Sequence, residues 1–214
     1  MGCRAAILRP ARWCSNSVEA GSALSPAPLY LLAGGRSERM GRDKARVEVG
    51  GLPLILRVVA QCGYEPESVT VVAAPGRSYA DLGLRTVEDE SEHEGPFSGL
   101  QTLLRQAAPG PMLVVGCDQW GLREAMLAPL LAALRAGAMA AAYRGAVWHP
   151  LPLAIDAAAA GAVQQAFEQG ERSIWRWLER SGAAALTEPE GWSQVVSVDD
   201  DAVLAGVVSR VNAG

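Results

Sequence analysis

Four short β-rich runs recur along the chain, Leu29 to Ala33, Val69 to Ala74, Arg85 to Glu88 and Met112 to Cys117, with helical patterns between them. In the intervals, "LPLILRVVAQC" and "FSGLQTLLRQAA" carry apolar residues at the spacing of one helix face. Alternation of this kind constrains the fold to a parallel sheet covered by helices, because parallel neighbours must be joined by a crossover. Beyond Asp118 the pattern predicts a helix from Arg123 to Ala136, kinked or split at Pro129. "MAAAYRGAVWHPLPLAID" reads as two strands joined at Gly145. Helices near Gly161 to Gln169 and Ser173 to Arg180, a strand near Val195 and a closing helix from Ala202 to Val211 complete the expectation. The fold class is therefore α/β, a mostly parallel sheet with helices on both faces, and no internal repeat is present.

The chain has 214 residues, 50% of them hydrophobic, which suits one sizeable domain rather than two. A net charge of -4 argues against a protein that lives by non-specific adhesion to nucleic acid or an anionic membrane. Cys3, Cys14, Cys62 and Cys117 form no CxxC pair or metal-finger spacing, so they read as reduced thiols. No apolar stretch approaches the roughly 20 residues that span a bilayer, and the expected location is the cytoplasm. Residues 1–28 stand apart, with Arg4, Arg9, Arg12, several serines and prolines, and Glu19 as the one acid. They are expected to be a disordered extension, with a transit peptide as the other reading, and the domain occupies residues 29–214.

In an open α/β sheet, ligands lie beyond the carboxyl ends of the strands. Gly34 and Gly35 follow the first run, Asp89 the third and Asp118 the fourth. Paired glycines let backbone N–H groups approach a phosphate or a base, and Arg39 and Lys44 bring cations to the same mouth. Two phosphate motifs are excluded by counting. Five residues separate Gly35 from Gly41, and Arg42 rather than lysine follows, so there is no Walker loop; the dinucleotide G-x-G-x-x-G is also absent.

The segment "LAGGRSERMGRDK" from Leu32 to Lys44 resembles the signature L-A-G-G-x-S-x-R-M-G-x-D-K of the MobA-type molybdenum cofactor guanylyltransferases. The likeness continues through "GGLPLI" at Gly50, "EDESEHEGPFSGL" at Glu88 and "GCD" at Gly116, with weaker echoes in "WHPLPLAI" and "GERS". The resemblance implies a Rossmann-like nucleotidyltransferase that joins GMP from GTP to the phosphate of molybdopterin, releasing pyrophosphate with Mg²⁺. By position, it implies nucleotide contacts from Leu32, Ala33, Gly34 and Gly35, phosphate contacts from Lys44, guanosine contacts from Asp89, and a metal ligand in Asp118. Paired glycines, where cytidylyl and sugar-nucleotide relatives usually have Ala-Gly, favour guanine. Molybdoenzymes or other cofactor-pathway proteins are the partners such a protein would serve.

The chemistry agrees with these residue types. Transfer at an α-phosphorus needs in-line approach and neutralisation of charge on the departing pyrophosphate, which Arg39, Lys44 and a metal supply without a protein nucleophile. Mg²⁺ is typically held by one or two carboxylates plus substrate phosphates, so Asp118 is a sufficient anchor; the competing reading is a helix N-cap. Glu90, Glu92 and Glu94 around His93 read as a solvated face, and Cys117 as a small buried residue. His149 before Pro150 fits either a pterin contact, in the manner of the family, or a structural histidine, and Arg172 is a candidate for the pterin phosphate. Trp175 and Trp177, two apart, cannot share one helix face, so one should be exposed or line a groove.

The chain departs from the family pattern in three places. Trp120 stands where proline usually follows the metal aspartate, and Pro75 where asparagine is expected after the second strand. The terminal N-x-N-T-P-E-D-L motif is replaced by "SVDDDAVL" from Ser197 to Leu204, which puts Asp199 in place of the second asparagine. Sugar nucleotidyltransferases often hold metal with an aspartate there, so Asp199 is expected to join Asp118 as a ligand. Two alternatives remain open at this level: transfer of another nucleotide or to another acceptor, of cytidylyl or sugar-phosphate type, and an inactive nucleotide-binding partner protein.

Overall fold

The computed structural model describes residues 27–34, 42–89 and 95–212. The expectations for residues 1–26 with Cys3 and Cys14, for Gly35 and Arg39, and for the loop of Glu90, Glu92, His93 and Glu94 lie outside these residues. The principal strands are β1 (Leu29–Ala33), β4 (Val69–Ala73), β5 (Arg85–Glu88), β6 (Pro111–Gly116), β8 (Ala140–Arg144), β9 (Trp148–Asp156) and β10 (Ala184–Leu186). Short pairs add β2 (Glu48–Val49), β3 (Leu52–Pro53), β7 (Gln119–Trp120) and β11 (Val196–Ser197). The helices are α1 (Leu54–Gln61), α2 (Pro96–Gln106), α3 (Glu124–Arg135), α4 (Ala160–Glu168), α5 (Ile174–Ser181) and α6 (Asp201–Asn212).

The seven principal strands form one sheet in the order β10-β8-β9-β6-β1-β4-β5. All neighbours are parallel except β9, which runs antiparallel between β6 and β8. The centre of the sheet holds β1, paired along its whole length with β4 and along most of it with β6. Its period-two alternation sends Leu29, Leu31 and Ala33 to one core and Leu32 to the other. The first core is closed by Ile55, Val58 and Val59 of α1, Met126 and Leu130 of α3, and Leu204 and Val207 of α6. The second is closed by Phe97, Leu100 and Leu103 of α2, Val163 of α4, and Trp177 and Leu178 of α5. Helices therefore cover both faces of a single mostly parallel sheet, and the parallel strands all end at one edge.

Of the two expectations for Pro129, a kink or a split, the split is overturned: α3 runs unbroken from Glu124 to Arg135 with the proline inside, giving up the one bond that would reach the Ala125 carbonyl. The two strands are joined at Gly145 as expected, by a turn in which Gly145 N–H donates to the Val147 carbonyl at 3.1 Å, and β9 begins at Trp148. Trp177 is buried and Trp175 is exposed, which resolves the paired tryptophans. Among the described residues, no helix is long and apolar enough to cross a membrane.

Candidate active site

A cleft of about 320 Å³ opens across the carboxyl ends of β6, β1, β4 and β5. Leu32, Ala33 and Gly34 form its floor, Lys44 and Asp118 one end, and Asp89 with Gly95 and Gly99 the other. Geometry thus gathers Leu32, Ala33, Gly34, Lys44, Asp89, Asp118 and Asp199 around one space, as the sequence expects. Gly35 and Arg39 are outside the described residues.

Lys44 opens a short 3-10 turn, Lys44–Arg46, whose N-cap is Asp43: its carboxylate accepts from the Ala45 N–H at 3.1 Å. The same carboxylate accepts from the buried Tyr79 hydroxyl at 3.0 Å. Burial, joined by the Asp43 charge, drives the Tyr79 phenol upward, so it stays a donor. One turn residue further on, Arg46 grips Asp81 with two nitrogens at 2.8 and 2.7 Å and lies 5.2 Å above the Tyr79 ring. Because the turn is clamped on both sides, the lysine is aimed by its backbone.

The Lys44 ammonium reaches Asp118 Oδ2 at 3.0 Å and Asp199 Oδ1 at 2.8 Å. Burial pulls the pKa of Lys44 down, but hydrogen bonds and charge from Asp199 and Asp118 outweigh it and the net shift is upward. Lys44 is therefore a permanent cation in the cleft. Asp118 stands over Gly116, where a Cβ would come within 2.9 Å of its Oδ1, so a larger residue there would push the carboxylate aside. It does not cap a helix: β7 follows it directly, and α3 begins later with Arg123 at its N-cap.

Asp199 arrives from 81 residues away through the β7–β11 ribbon, in which Trp120 pairs with Val196 and Gln119 with Ser197. The Val198 N–H then donates to the Asp118 carbonyl at 3.0 Å, locking the two aspartate segments together. Trp120, in the place of the expected proline, is thus a ribbon residue. Arg42 adds an exposed contact to Asp201 at 2.7 Å.

At the opposite end, Asp89 is buried and accepts from Ser98 Oγ at 2.8 Å and Thr102 Oγ1 at 2.9 Å, both on α2. Gly99 on the same helix packs so closely that a Cβ would meet Leu32 Cδ2 at 3.3 Å and Asp89 Oδ2 at 3.7 Å. Arg77, just past Pro75, also lines the cleft, with its guanidinium 4.0 Å from Asp43. Sequence reasoning missed Arg77 and the buttressing roles of Asp43 and Tyr79. Asp43 lay inside the quoted motif, whereas Arg77 had no local signal.

The remaining candidates are placed elsewhere. His149, at the carboxyl edge two residues before the cleft-lining Leu151, has Nε2 2.6 Å from Glu188 Oε1 and its ring 4.9 Å from that of Trp192. Arg172 is not brought into the cleft: its guanidinium donates to the Phe167 and Glu171 carbonyls at 2.8 and 2.9 Å and lies over the Phe167 ring. Cys117 is buried, and that burial raises its thiol pKa far above the usual range, which removes it as a nucleophile. Cys62 is likewise buried and pushed up to about 12.

Four carboxylates (Asp43, Asp89, Asp118, Asp199) and two cations (Lys44, Arg77) line the cleft among the described residues. A polyanion entering this lining needs added positive charge, and the hard oxygens of Asp118 and Asp199 are of the kind that hold Mg²⁺. The described residues contain no cluster of three or more metal-binding side chains, so a divalent ion here would complete its shell with water and ligand oxygens.

A family model described as the MobA-like NTP transferase domain matches residues 29–185. The chain is 35% identical over 191 residues to a molybdenum cofactor guanylyltransferase of Pseudomonas paraeruginosa, covering 86% of this chain and 96% of that protein. The fold is similar to that of molybdopterin-guanine dinucleotide biosynthesis protein A from Archaeoglobus fulgidus, with a TM-score of 0.72 at 20% identity over 87% of this chain and 99% of the other. It is also similar to 4-diphosphocytidyl-2C-methyl-D-erythritol synthase from Anaerococcus prevotii, with a TM-score of 0.64 at 11% identity over 86% and 95% of the two chains.

Proposed function

Because the chain belongs to the MobA-like NTP transferase family, we propose that it transfers GMP from GTP to molybdopterin, forming the guanine dinucleotide of the cofactor with release of pyrophosphate. The observation that carries this reading is the single cleft that holds Gly34, Lys44, Asp89, Asp118 and Asp199 at the ends of parallel strands. In the reaction, a phosphate oxygen of the acceptor attacks the α-phosphorus of GTP. The bond from that phosphorus to the bridging oxygen breaks, and its electron pair leaves with pyrophosphate. No proton need be taken by the protein, because a phosphate monoester is largely a dianion at neutral pH.

The chain's own residues divide the work. Leu32, Ala33, Gly34 and Gly35 bring backbone against the nucleotide, and Asp89, held by Ser98 and Thr102, accepts from the N–H groups of guanine or from the ribose hydroxyls. Lys44 and Arg39 take the charge of the phosphates, and Asp118 with Asp199 holds Mg²⁺. When bound, that ion supplies charge neutralisation for the phosphoryl oxygens. His149 and Leu151 lie on the acceptor side, and Arg172 serves the acceptor only if its bonds to the Phe167 and Glu171 carbonyls are released. Buried reduced thiols suit the cytoplasm, where we place the reaction.

Pyrophosphate release is measured with each of the four nucleoside triphosphates, with Mg²⁺ and with molybdopterin present or withheld. Release confined to GTP and dependent on molybdopterin supports the reading. Release with CTP moves the enzyme to the cytidylyl branch, and GTP binding without release makes it a partner protein.

A further inference from the structure

One ammonium is shared by the two carboxylates that the reading above gives to Mg²⁺. Lys44 Nζ stands 3.0 Å from Asp118 Oδ2 and 2.8 Å from Asp199 Oδ1, with the lysine and Asp118 side chains 14% and 18% exposed. A Mg²⁺ ion demands its oxygens at about 2.0–2.1 Å, so metal and ammonium cannot both sit between the two aspartates. With two of its three N–H donors on carboxylates, Lys44 has only one left for a triphosphate.

We propose that Lys44 is a stand-in for the metal in the nucleotide-free protein. It neutralises Asp118 and Asp199 and excludes a divalent ion until phosphate oxygens draw it away. Metal and nucleotide therefore enter as a pair, each favouring the other. This inference rests on the assignment of Asp118 and Asp199 to the metal.

The architecture suits a switch confined to one side chain. The Lys44 backbone is clamped through Asp43, Tyr79 and the Arg46–Asp81 fork, while its four-carbon stem is free to re-aim. The aspartates do not need the lysine to meet, because the β7–β11 ribbon and the Val198-to-Asp118 bond already hold them together. Asp199 is half exposed, which leaves it able to turn toward an incoming ion. Since metal and nucleotide displace the same contact, linkage makes their coupling reciprocal.

The test titrates Mn²⁺, a paramagnetic substitute for Mg²⁺, into the nucleotide-free full chain and reads bound metal by electron paramagnetic resonance. Lys44→Met is expected to bind Mn²⁺ about 5-fold to 150-fold more tightly than the wild type. Adding Asp199→Asn should erase that gain, and Mn²⁺ should raise the melting temperature of Lys44→Met but not of the wild type. Equal Mn²⁺ affinity in the wild type and Lys44→Met overturns the stand-in role, even where Mn²⁺ binding with GTP still requires Asp118 and the metal assignment stands. Mn²⁺ binding with GTP that ignores Asp118→Asn overturns both. Should Lys44→Met fold poorly, Mn²⁺ must restore a cooperative transition, and failure to do so at saturating metal overturns the proposal.

Discussion

At the β5 end of the cleft, Asp89 is buried and fastened to neighbouring hydroxyls of α2, while at the β6 end Asp118 meets Asp199 across a ribbon of two-residue strands. The first end is assembled from elements close together in the chain: Asp89, Ser98 and Thr102 fall within a few turns of one another. The second depends on a contact that closes 81 residues and leaves Asp199 half exposed. The buried end resembles a preformed receptacle, suited to a ligand recognised by shape and hydrogen bonds. The ribbon end has two mutually repelling carboxylates held by one lysine, Asp118 mostly covered and Asp199 half exposed, which suits a place where charge arrives and departs during the reaction.

That contrast breaks most readily at Asp118. Replacing Asp118 by Asn removes a cation ligand while keeping shape, and pyrophosphate release should fall by about a hundredfold to a thousandfold. GTP binding by calorimetry should weaken far less, and an equal loss in both would erase the distinction between the two ends. Next in size is Asp89→Ala, which removes the buried carboxylate that accepts from Ser98 and Thr102 and should cost about 1–3 kcal/mol in denaturant unfolding. Its KM for GTP should rise, whereas its Mg²⁺ requirement should stay that of the wild type.

Asp199→Asn sharpens the other end. It should raise the Mg²⁺ concentration needed for half-maximal release roughly tenfold and leave the melting temperature nearly unchanged. An unchanged Mg²⁺ dependence would remove Asp199 from the metal site. The smallest effect is on pH. The pKa of Lys44 is raised above its ordinary 10.5, so the stability contributed by its two ion pairs is fully present below that value. It is lost as pH climbs through the raised pKa. The melting-temperature gap between the wild type and Lys44→Met, a few degrees in a domain of this size, should therefore hold through pH 10 and shrink only beyond it. A gap already closed at pH 8 would contradict the charge pairing.

Much of this was legible in the chain itself. Strands β1 and β5 fall where the β-rich runs lie and β4 and β6 within one residue of them; β1, β4 and β6 are apolar because they are buried in the middle of the sheet, whereas β5 is a short edge strand with polar ends. The glycines and Asp89 and Asp118 were legible because a ligand site at the ends of parallel strands follows from the alternation alone. Pro129 left two outcomes open, and packing of Met126, Leu127, Leu130 and Leu134 excludes the split by holding α3 together despite one missing bond. The surroundings of Arg172 were not legible: the sequence offers it as a cation for the acceptor, and only the packed chain shows its guanidinium on the Phe167 and Glu171 carbonyls and over the Phe167 ring.

By itself, then, the sequence determined the class of fold, the edge that carries the site and the residue types able to meet a nucleotide, since these follow from periodicity and local backbone chemistry. Tertiary structure alone decided that Lys44 bridges Asp118 and Asp199, that Tyr79 and Asp43 aim that lysine, and that Arg77 faces the same space. Such contacts join residues tens to more than a hundred positions apart. Their distances are set by how sheet, ribbon and helices pack, which no local pattern of residues records.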